Sequence, residues 1–194
     1  MILANPAAFF ASIRVGLFNG LLSQNQVDGM NIILAAWDTS KQSEPRFVAY
    51  SLATVSHETA QMMQPITEFG LGRGHTYGLP AGPFGQRYYG RGLVQLTWLD
   101  NYQKTNDKLH ARGVLRDGES LVAQPDLTLR PDVAAAILVY GMLEGWFTGR
   151  KLSDFFNETE ADWVNAREII NGHDKAAQIA AYAIHFHDAI LGAQ

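Results

Sequence analysis

The sequence has no cysteine in its 194 residues. This absence excludes disulfide bonds, a thiolate nucleophile and zinc held by cysteine. It fits a protein made in a reducing compartment, where disulfides rarely persist. The first residues also lack the basic segment and continuous apolar run of a signal peptide. We therefore expect synthesis in the cytoplasm without a secretion signal.

Long apolar runs and an excess of positive charge are missing as well. No apolar run reaches the roughly 18 residues of a membrane-spanning helix, so stable membrane insertion is not expected. Lysine and arginine number 15 against 19 aspartates and glutamates, for a net charge of −4. Because phosphate contacts require a surplus of basic residues, we expect no nucleic-acid partner.

The remaining composition is that of a globular protein, with 47% hydrophobic and 18% charged residues. Apolar residues recur at helical spacing, while the alternation of a strand is almost absent. The pattern predicts a mainly α single domain over 1–194, with N-terminal helices in 1–45 packed on the core. Helices are predicted over 6–22, 23–40, 46–62, 131–146, 162–170 and 175–191.

The third of these helices carries the first candidate catalytic group, Glu58. Its apolar stripe consists of Val48, Leu52, Val55, Thr59 and Met62. Glu58 lies at the edge of this stripe, so its carboxyl group is expected to be partly desolvated. A carboxylic acid in such a setting can protonate a leaving glycosidic oxygen. A lone glutamate on an amphipathic helix is more commonly solvated. The choice between a solvated surface residue and a catalytic acid therefore depends on the sequence that follows.

A second carboxylate follows ten residues later. Pro65 should end the helix, which places Glu68 in a loop beyond it. Residues 65–92 hold eight glycines and predict a long irregular loop that moves and closes on substrate. Long loops of this kind are often functional. Glu68 is the only carboxylate between Glu58 and Asp100.

Two segments together resemble glycoside hydrolase family 19, the chitinase-like family with a lysozyme-like fold. They read Ser56-His57-Glu58-Thr59 and Tyr88-Tyr89-Gly90-Arg91-Gly92-x-x-Gln95-Leu96-Thr97-Trp98. The resemblance covers most of 47–172 and is strongest over 56–102. The first 45 residues look like those of phage and bacterial members, which include many endolysins. The absence of cysteine departs from the plant chitinases.

The resemblance implies an inverting glycosidase without a cofactor. It assigns Glu58 as the general acid and Glu68 as the base. The Thr97 hydroxyl would help to hold the attacking water, while Gln95 and Asn101 would bind the N-acetyl sugar and the region of that water. Local hydrogen bonding to the backbone is the alternative role for Thr97 and Asn101.

Other aromatic and basic residues of the motif have two interpretations. Tyr89 and Tyr102 are candidates for the wall of a sugar cleft, whereas Trp98 is predicted to lie in the core. Arg91 is predicted to be a structural ion-pair partner of an active-site carboxylate.

A later segment resembles the family's Asn-Gly border of the cleft and makes Arg167 and Asn171 substrate-binding candidates. Asn-Gly is also an ordinary signal for the end of a helix.

A metal site is not expected. His57-Glu58 begins a His-Glu-x-x-His zinc motif, but the second histidine position holds Gln61. His185 and His187 would point to different faces of a helix. His57 is instead a substrate-side candidate that orients the Glu58 region, or a packed core histidine.

The expected substrate is peptidoglycan or another polymer of N-acetylhexosamine, because both peptidoglycan and chitin contain this unit. The charged residues of 65–92 are Glu68, Arg73, Arg87 and Arg91, and this local positive charge favours anionic peptidoglycan. A monomeric endolysin, released to the cell wall of a bacterial host through a holin, would fit. A chitinase is the alternative within the same class. A catalytically silent glycan-binding protein and a structural virion protein are alternatives from other classes.

Overall fold

The computed structural model describes residues 3–42 and 44–194, and this part of the chain is mainly helical, as predicted. It contains the helices α1 (Pro6–Gly16), α2 (Gln24–Ser40), α3 (Pro45–Glu58), α4 (Leu99–Ala111), α5 (Pro131–Glu144) and α6 (Ala176–Leu191). Two short strands, β1 (Ile66–Thr67) and β2 (Arg91–Gly92), pair antiparallel.

The chain forms two compact units. The first consists of Met1–Met63 and Val139–Gln194, and it contains α1, α2, α3 and α6. The second is Gln64–Leu138, with both strands and α4. The single domain over 1–194 stays a prediction.

Helix α3 is the centre of the first unit. It packs along α6, while α2 packs on α3 and α1 on α6. All nine residues from Val48 to Ser56 are buried, so the predicted one-sided stripe is wrong and α3 is covered on all sides. Some of the buried polar side chains of α3 form hydrogen bonds. Trp37 Nε1, for example, donates to Ser51 Oγ at 2.8 Å.

Two predicted helices in the first unit are too long. Helix α1 ends at Gly16, and Leu21 beyond it is 82% exposed rather than part of the buried stripe. Helix α3 ends at Glu58 instead of Met62, whose side chain is 40% exposed. The predicted helix over 162–170 is also corrected, because this segment forms only a 3₁₀ turn at Asn165–Ile169.

The end of α3 has a local physical cause. Thr59 Oγ1 donates to the carbonyl of Val55 at 2.7 Å and accepts from Met63 N at 3.0 Å. Met63 N thus bonds to a side-chain oxygen where a continuing helix would supply the backbone carbonyl of residue 59. Ala60, Gln61 and Met63 then have positive φ values of 49°, 64° and 56°. Non-glycine residues seldom adopt this conformation, and a run of them reverses the chain directly after Glu58.

The glycine-rich segment of the second unit has more regular structure than the sequence predicts. Ile66 pairs with Gly92 and Thr67 with Arg91 in the β1–β2 ladder. Between the strands lie a 3₁₀ turn at Thr76–Gly78 and a bridge between Ala81 and Gln86. A Cβ on Gly78 would overlap the carbonyl group of Gly72, so two turns of this segment touch where only glycine fits.

Candidate active site

In the first unit, Glu58 is the last residue of α3 and its carboxylate is held by a buried arginine. Glu58 Oε1 accepts a hydrogen bond from Arg167 Nη1 at 2.7 Å. The two side chains are 15% and 2% exposed, respectively. Arg167 Nε donates in turn to the carbonyl oxygen of Asp174 at 3.1 Å. The guanidinium therefore fixes both the position and the rotamer of the carboxylate.

This contact changes the sequence-based interpretation of both residues. The expected partial desolvation of Glu58 agrees with its low exposure, but a buried cation beside it was not foreseen. Arg167 was predicted to bind substrate; its side chain is buried and paired with Glu58, and a contact with substrate stays a prediction. A buried charge needs a partner, and these two residues supply one another with it.

Helix α3 also carries two buried hydroxyl groups behind Glu58. Tyr50, Thr54 and Glu58 are spaced by four residues and lie on one face of the helix. The Tyr50 and Thr54 hydroxyls have no hydrogen-bond partner in the described parts of the first unit. Burial raises the pKa of Tyr50, against the smaller opposite effect of Arg167. The face behind the candidate acid is thus partly polar, which the sequence pattern did not reveal.

The other two candidates of the first unit lie near Glu58 and Arg167 in the chain. His57 is half-buried in the last turn of α3, and its carbonyl accepts from Ala60 N at 3.2 Å. Asn171 is exposed, and its backbone N–H donates to Arg167 O at 3.0 Å. Gly172 follows with a φ of 44°, so the expected turn signal is present. Substrate binding by His57 and Asn171 stays a prediction.

In the second unit, Glu68 follows β1 and is half-buried. Its backbone N–H donates to Gly90 O at 2.9 Å, which extends the pairing of β1 with β2. No group within Gln64–Leu138 forms a hydrogen bond or ion pair with its carboxylate. Burial raises the pKa of Tyr77, and the negative charge of Glu68 raises it further. Such a carboxylate is free to accept a proton from a ligand or water.

Gly90 explains how Glu68 and Gln95 come together. A Cβ on Gly90 would lie 2.9 Å from Gln95 Oε1 and 3.1 Å from Glu68 Oε2, so both side chains pack over this glycine. Gln95 has a φ of 53°, and its Nε2 donates to Ile66 O at 3.1 Å and Gly92 O at 3.2 Å. The amide N–H groups of Gln95 therefore stabilise the strand pair, and its Oε1 faces the same glycine as Glu68 Oε2.

Thr97 and Asn101 make the local backbone contacts that the sequence left open as an alternative. Thr97 Oγ1 donates to Gln95 O at 2.8 Å, and Asn101 Nδ2 donates to Thr97 O at 2.9 Å. Both side chains are partly exposed and keep acceptor lone pairs for a ligand. Their roles toward water and sugar stay predictions.

Tyr102 is a structural residue, which corrects its assignment to the sugar cleft. Its side chain is 0% exposed. The hydroxyl donates to Tyr89 O at 3.0 Å and accepts from Arg91 Nη1 at 3.2 Å. Burial raises the pKa of Tyr102 to about 12, so the hydroxyl remains a donor at all ordinary pH values.

Arg91 is a structural ion-pair partner, as predicted, but its carboxylate is Asp126. The Nε to Oδ1 distance is 2.7 Å. The guanidinium also lies 3.7 Å from the centroid of the Tyr89 ring, a cation–π contact that orients this tyrosine. Tyr89 is half-buried and lines a cavity of about 500 Å³ together with Arg87 and Gln124. Its substrate contact stays a prediction.

Within 3–42 and 44–194, no group of three histidine, aspartate or glutamate side chains is arranged to hold a metal ion. In the same ranges no helix is both long and apolar enough to cross a bilayer.

The fold defines the class of the protein as mainly α and lysozyme-like, and solved structures make the likeness specific. Chitinase C of Streptomyces griseus HUT6037 matches with a TM-score of 0.60 and 23% identity over 96% of this chain and 76% of that chain. A bacterial family 19 chitinase gives 0.59 and 21% over 98% and 95%. A single-site mutant of chitinase C gives 0.59 and 25% over 100% and 94%.

The predicted resemblance to family 19 is thus confirmed at the level of the fold. Neither the family models nor the curated protein sequences give a significant match to the chain.

Proposed function

We propose that the protein is a glycoside hydrolase that cleaves β-1,4 bonds beside N-acetylated hexosamines. The observation that carries this proposal is the carboxylate of Glu58, partly desolvated at the end of α3 and fixed by the buried Arg167. A carboxyl group held in place through Oε1, with Oε2 left open, is positioned to donate a proton to a leaving oxygen. The likeness in fold to family 19 chitinases supports the same reaction.

The proposed mechanism is inverting, with Glu58 as the general acid and Glu68 as the general base. Glu58 Oε1 is occupied by Arg167, so Oε2 is the oxygen that carries the proton to the glycosidic bond. The Glu68 carboxylate removes a proton from water as this water attacks the anomeric carbon. Thr97 supplies hydroxyl lone pairs to the same water. An inverting reaction requires the two carboxyl groups about 6.5–9.5 Å apart in the substrate complex.

The decisive experiment is incubation of the protein with purified peptidoglycan and, separately, with chitin oligomers, followed by mass analysis of the products. Proton NMR during the reaction gives the anomeric form of the first product, which must be α for an inverting enzyme. Binding without any product would favour the catalytically silent glycan-binding protein. Neither binding nor product would favour the structural virion protein.

We propose peptidoglycan as the preferred substrate because of unpaired arginines in the second unit. Arg73 and Arg87 are exposed and form no ion pair within Gln64–Leu138. Both line a cavity of about 530 Å³, together with His75. Arg91 is removed from the expected positive rim, since it is paired with Asp126. The two free cations would attract the lactyl and peptide carboxylates of peptidoglycan, which chitin lacks.

Arg87→Gln is therefore expected to slow peptidoglycan cleavage severalfold at low ionic strength and to leave the cleavage of chitin oligomers unchanged. The difference from the wild type should shrink as salt screens the charge. Arg14→Gln, which removes an exposed charge from the first unit, serves as the matched control. Rapid chitin hydrolysis without release from peptidoglycan would reverse the substrate assignment and leave the glycosidase mechanism standing.

Gly90→Ala is expected to lower turnover by about tenfold with little loss of stability. The added methyl group would press on Gln95 Oε1 and Glu68 Oε2, and small displacements of a catalytic group are costly. Steady-state kinetics with chemical denaturation measures both effects. Gly70→Ala, where a Cβ would meet nothing within 4 Å, is the control. Equal kinetics for the two variants would remove Glu68 and Gln95 from the reaction.

We also propose that the protein acts as an endolysin that reaches the cell wall from the cytoplasm of a bacterial host through a holin. The unpaired arginines of the second unit, which suit an anionic cell-wall polymer, support this place of action. Expression without a holin should leave the host intact, whereas addition of the purified protein to permeabilised cells should lyse them.

A further inference from the structure

Trp98 has an unusual backbone conformation for a bulky residue. It precedes α4 with φ 76° and ψ 137°. This region is occupied almost only by glycine, because a Cβ clashes there. The conformation is held by hydrogen bonds from Trp98 N to Tyr88 O at 2.8 Å and from Tyr102 N to Trp98 O at 3.0 Å. Strain of this kind in a well-bonded segment is characteristic of functional positions.

The strained backbone presents the indole to solvent. Trp98 is 50% exposed, so the prediction that it lies in the core is wrong. The ring meets Tyr77 edge-on, with 5.1 Å between centroids and an interplanar angle of 78°. Tyr77 is stacked in turn on His75 at 4.8 Å and 6°. This row of three rings holds the indole from one side, and no group within Gln64–Leu138 binds its Nε1–H.

Polar groups surround the exposed indole. A cavity of about 330 Å³ is lined by Trp98, Leu99, Asp100, Asn101 and Lys104. Its lining thus combines a flat aromatic surface with a carboxylate, an amide and an ammonium group. A pyranose ring has the matching chemistry, since its C–H face is apolar while its edge carries hydroxyl and acetamido groups.

We propose that Trp98 is a stacking platform for one sugar ring of a β-1,4-linked N-acetylhexosamine chain. The indole covers the C–H face of the ring, and Asp100, Asn101 and Lys104 bind its polar edge. The choice of polymer rests on the proposed function, but the binding itself requires no catalysis. Glycine would adopt the backbone conformation before α4 without strain. The strain at this position is therefore the cost of having an aromatic side chain there.

The test compares Trp98→Gly, Trp98→Ala and Trp98→Phe in a Glu58→Gln background, which is expected to prevent turnover. Titration calorimetry with a chitin hexasaccharide and with soluble peptidoglycan glycan strands gives the dissociation constants. Trp98→Gly and Trp98→Ala are expected to bind at least one of the two glycans about tenfold more weakly. Trp98→Phe should retain part of the affinity. Phe84→Ala, which removes another exposed aromatic ring of the same unit, should bind normally.

Thermal unfolding shows whether Trp98 binds glycan directly or only stabilises the fold. Trp98→Gly should unfold at a higher temperature than Trp98→Ala, because only glycine fits the backbone without strain. Unchanged glycan affinity in Trp98→Gly, or loss of affinity only in variants that are unfolded, would overturn the proposal. If the protein binds glycans through Trp98 but cleaves none, the glycosidase proposal fails and the platform stands. If the protein cleaves glycans but its glycan affinity does not depend on Trp98, the platform proposal fails and the glycosidase proposal stands.

Discussion

Glu58→Gln is expected to abolish turnover while the protein still folds and binds glycan. A glutamine amide cannot donate the proton that the leaving oxygen needs, and loss of a general acid costs at least about two orders of magnitude in rate. The amide oxygen can still accept the hydrogen bond from Arg167, which preserves the local geometry. Product release from peptidoglycan and from chitin oligomers measures the rate, and circular dichroism reports the fold.

Glu158→Gln is the matched control, because Glu158 is an exposed residue of the same unit. It should retain full activity. Near-normal hydrolysis by a folded Glu58→Gln protein would remove Glu58 from the role of the acid.

The second large effect is expected for Arg167→Met, which should lower the free energy of unfolding by about 3–5 kcal/mol. The substitution leaves the Glu58 carboxylate largely buried without a counter-charge, and the Asp174 carbonyl loses its donor. Combining it with Glu58→Gln removes the unpaired charge, so the double variant should recover part of the stability. Urea denaturation of the four proteins gives the coupling energy between the two residues.

Arg150→Met provides the comparison for this cycle. Arg150 pairs with Glu168 at 3.4 Å, but the side chains are 51% and 34% exposed. Exposed ion pairs contribute little, so this substitution should cost no more than about 1 kcal/mol. An equal loss of unfolding free energy in Arg150→Met and Arg167→Met would show that the buried pair stabilises the protein no more than the exposed pair does.

The sequence located α1, α2, α3, α5 and α6 because apolar spacing is a local property, but it placed the ends of α1 and α3 too late. It placed Glu58 four residues before the predicted end of the third helix at Met62, whereas Glu58 is itself the last residue of α3. The real end depends on the Thr59 side chain and on positive φ values, which helical periodicity does not encode. The strands were missed because two-residue segments carry no detectable alternation.

The site could be predicted only in part, because its contacts join distant positions. Glu58 and Arg167 are 109 residues apart, and spacing gives no indication that they pair. Tyr102 was assigned to the sugar cleft but is buried, whereas Trp98 was assigned to the core but is exposed. Aromatic residues suit both a core and a sugar cleft, and only the backbone at Trp98 decides that its ring faces outward while Tyr102 is covered.

The continuous burial of α3 also has a consequence for motion. A helix covered on all sides can exchange its amide hydrogens with solvent only when a large part of its unit opens. The amides from Val48 to Ser56 should therefore be among the slowest to exchange deuterium, while those after the left-handed turn at Ala60 should exchange much faster. Glu58 stands at the boundary between these two regimes. Its carboxylate therefore belongs to the part of the molecule that stays folded through local openings.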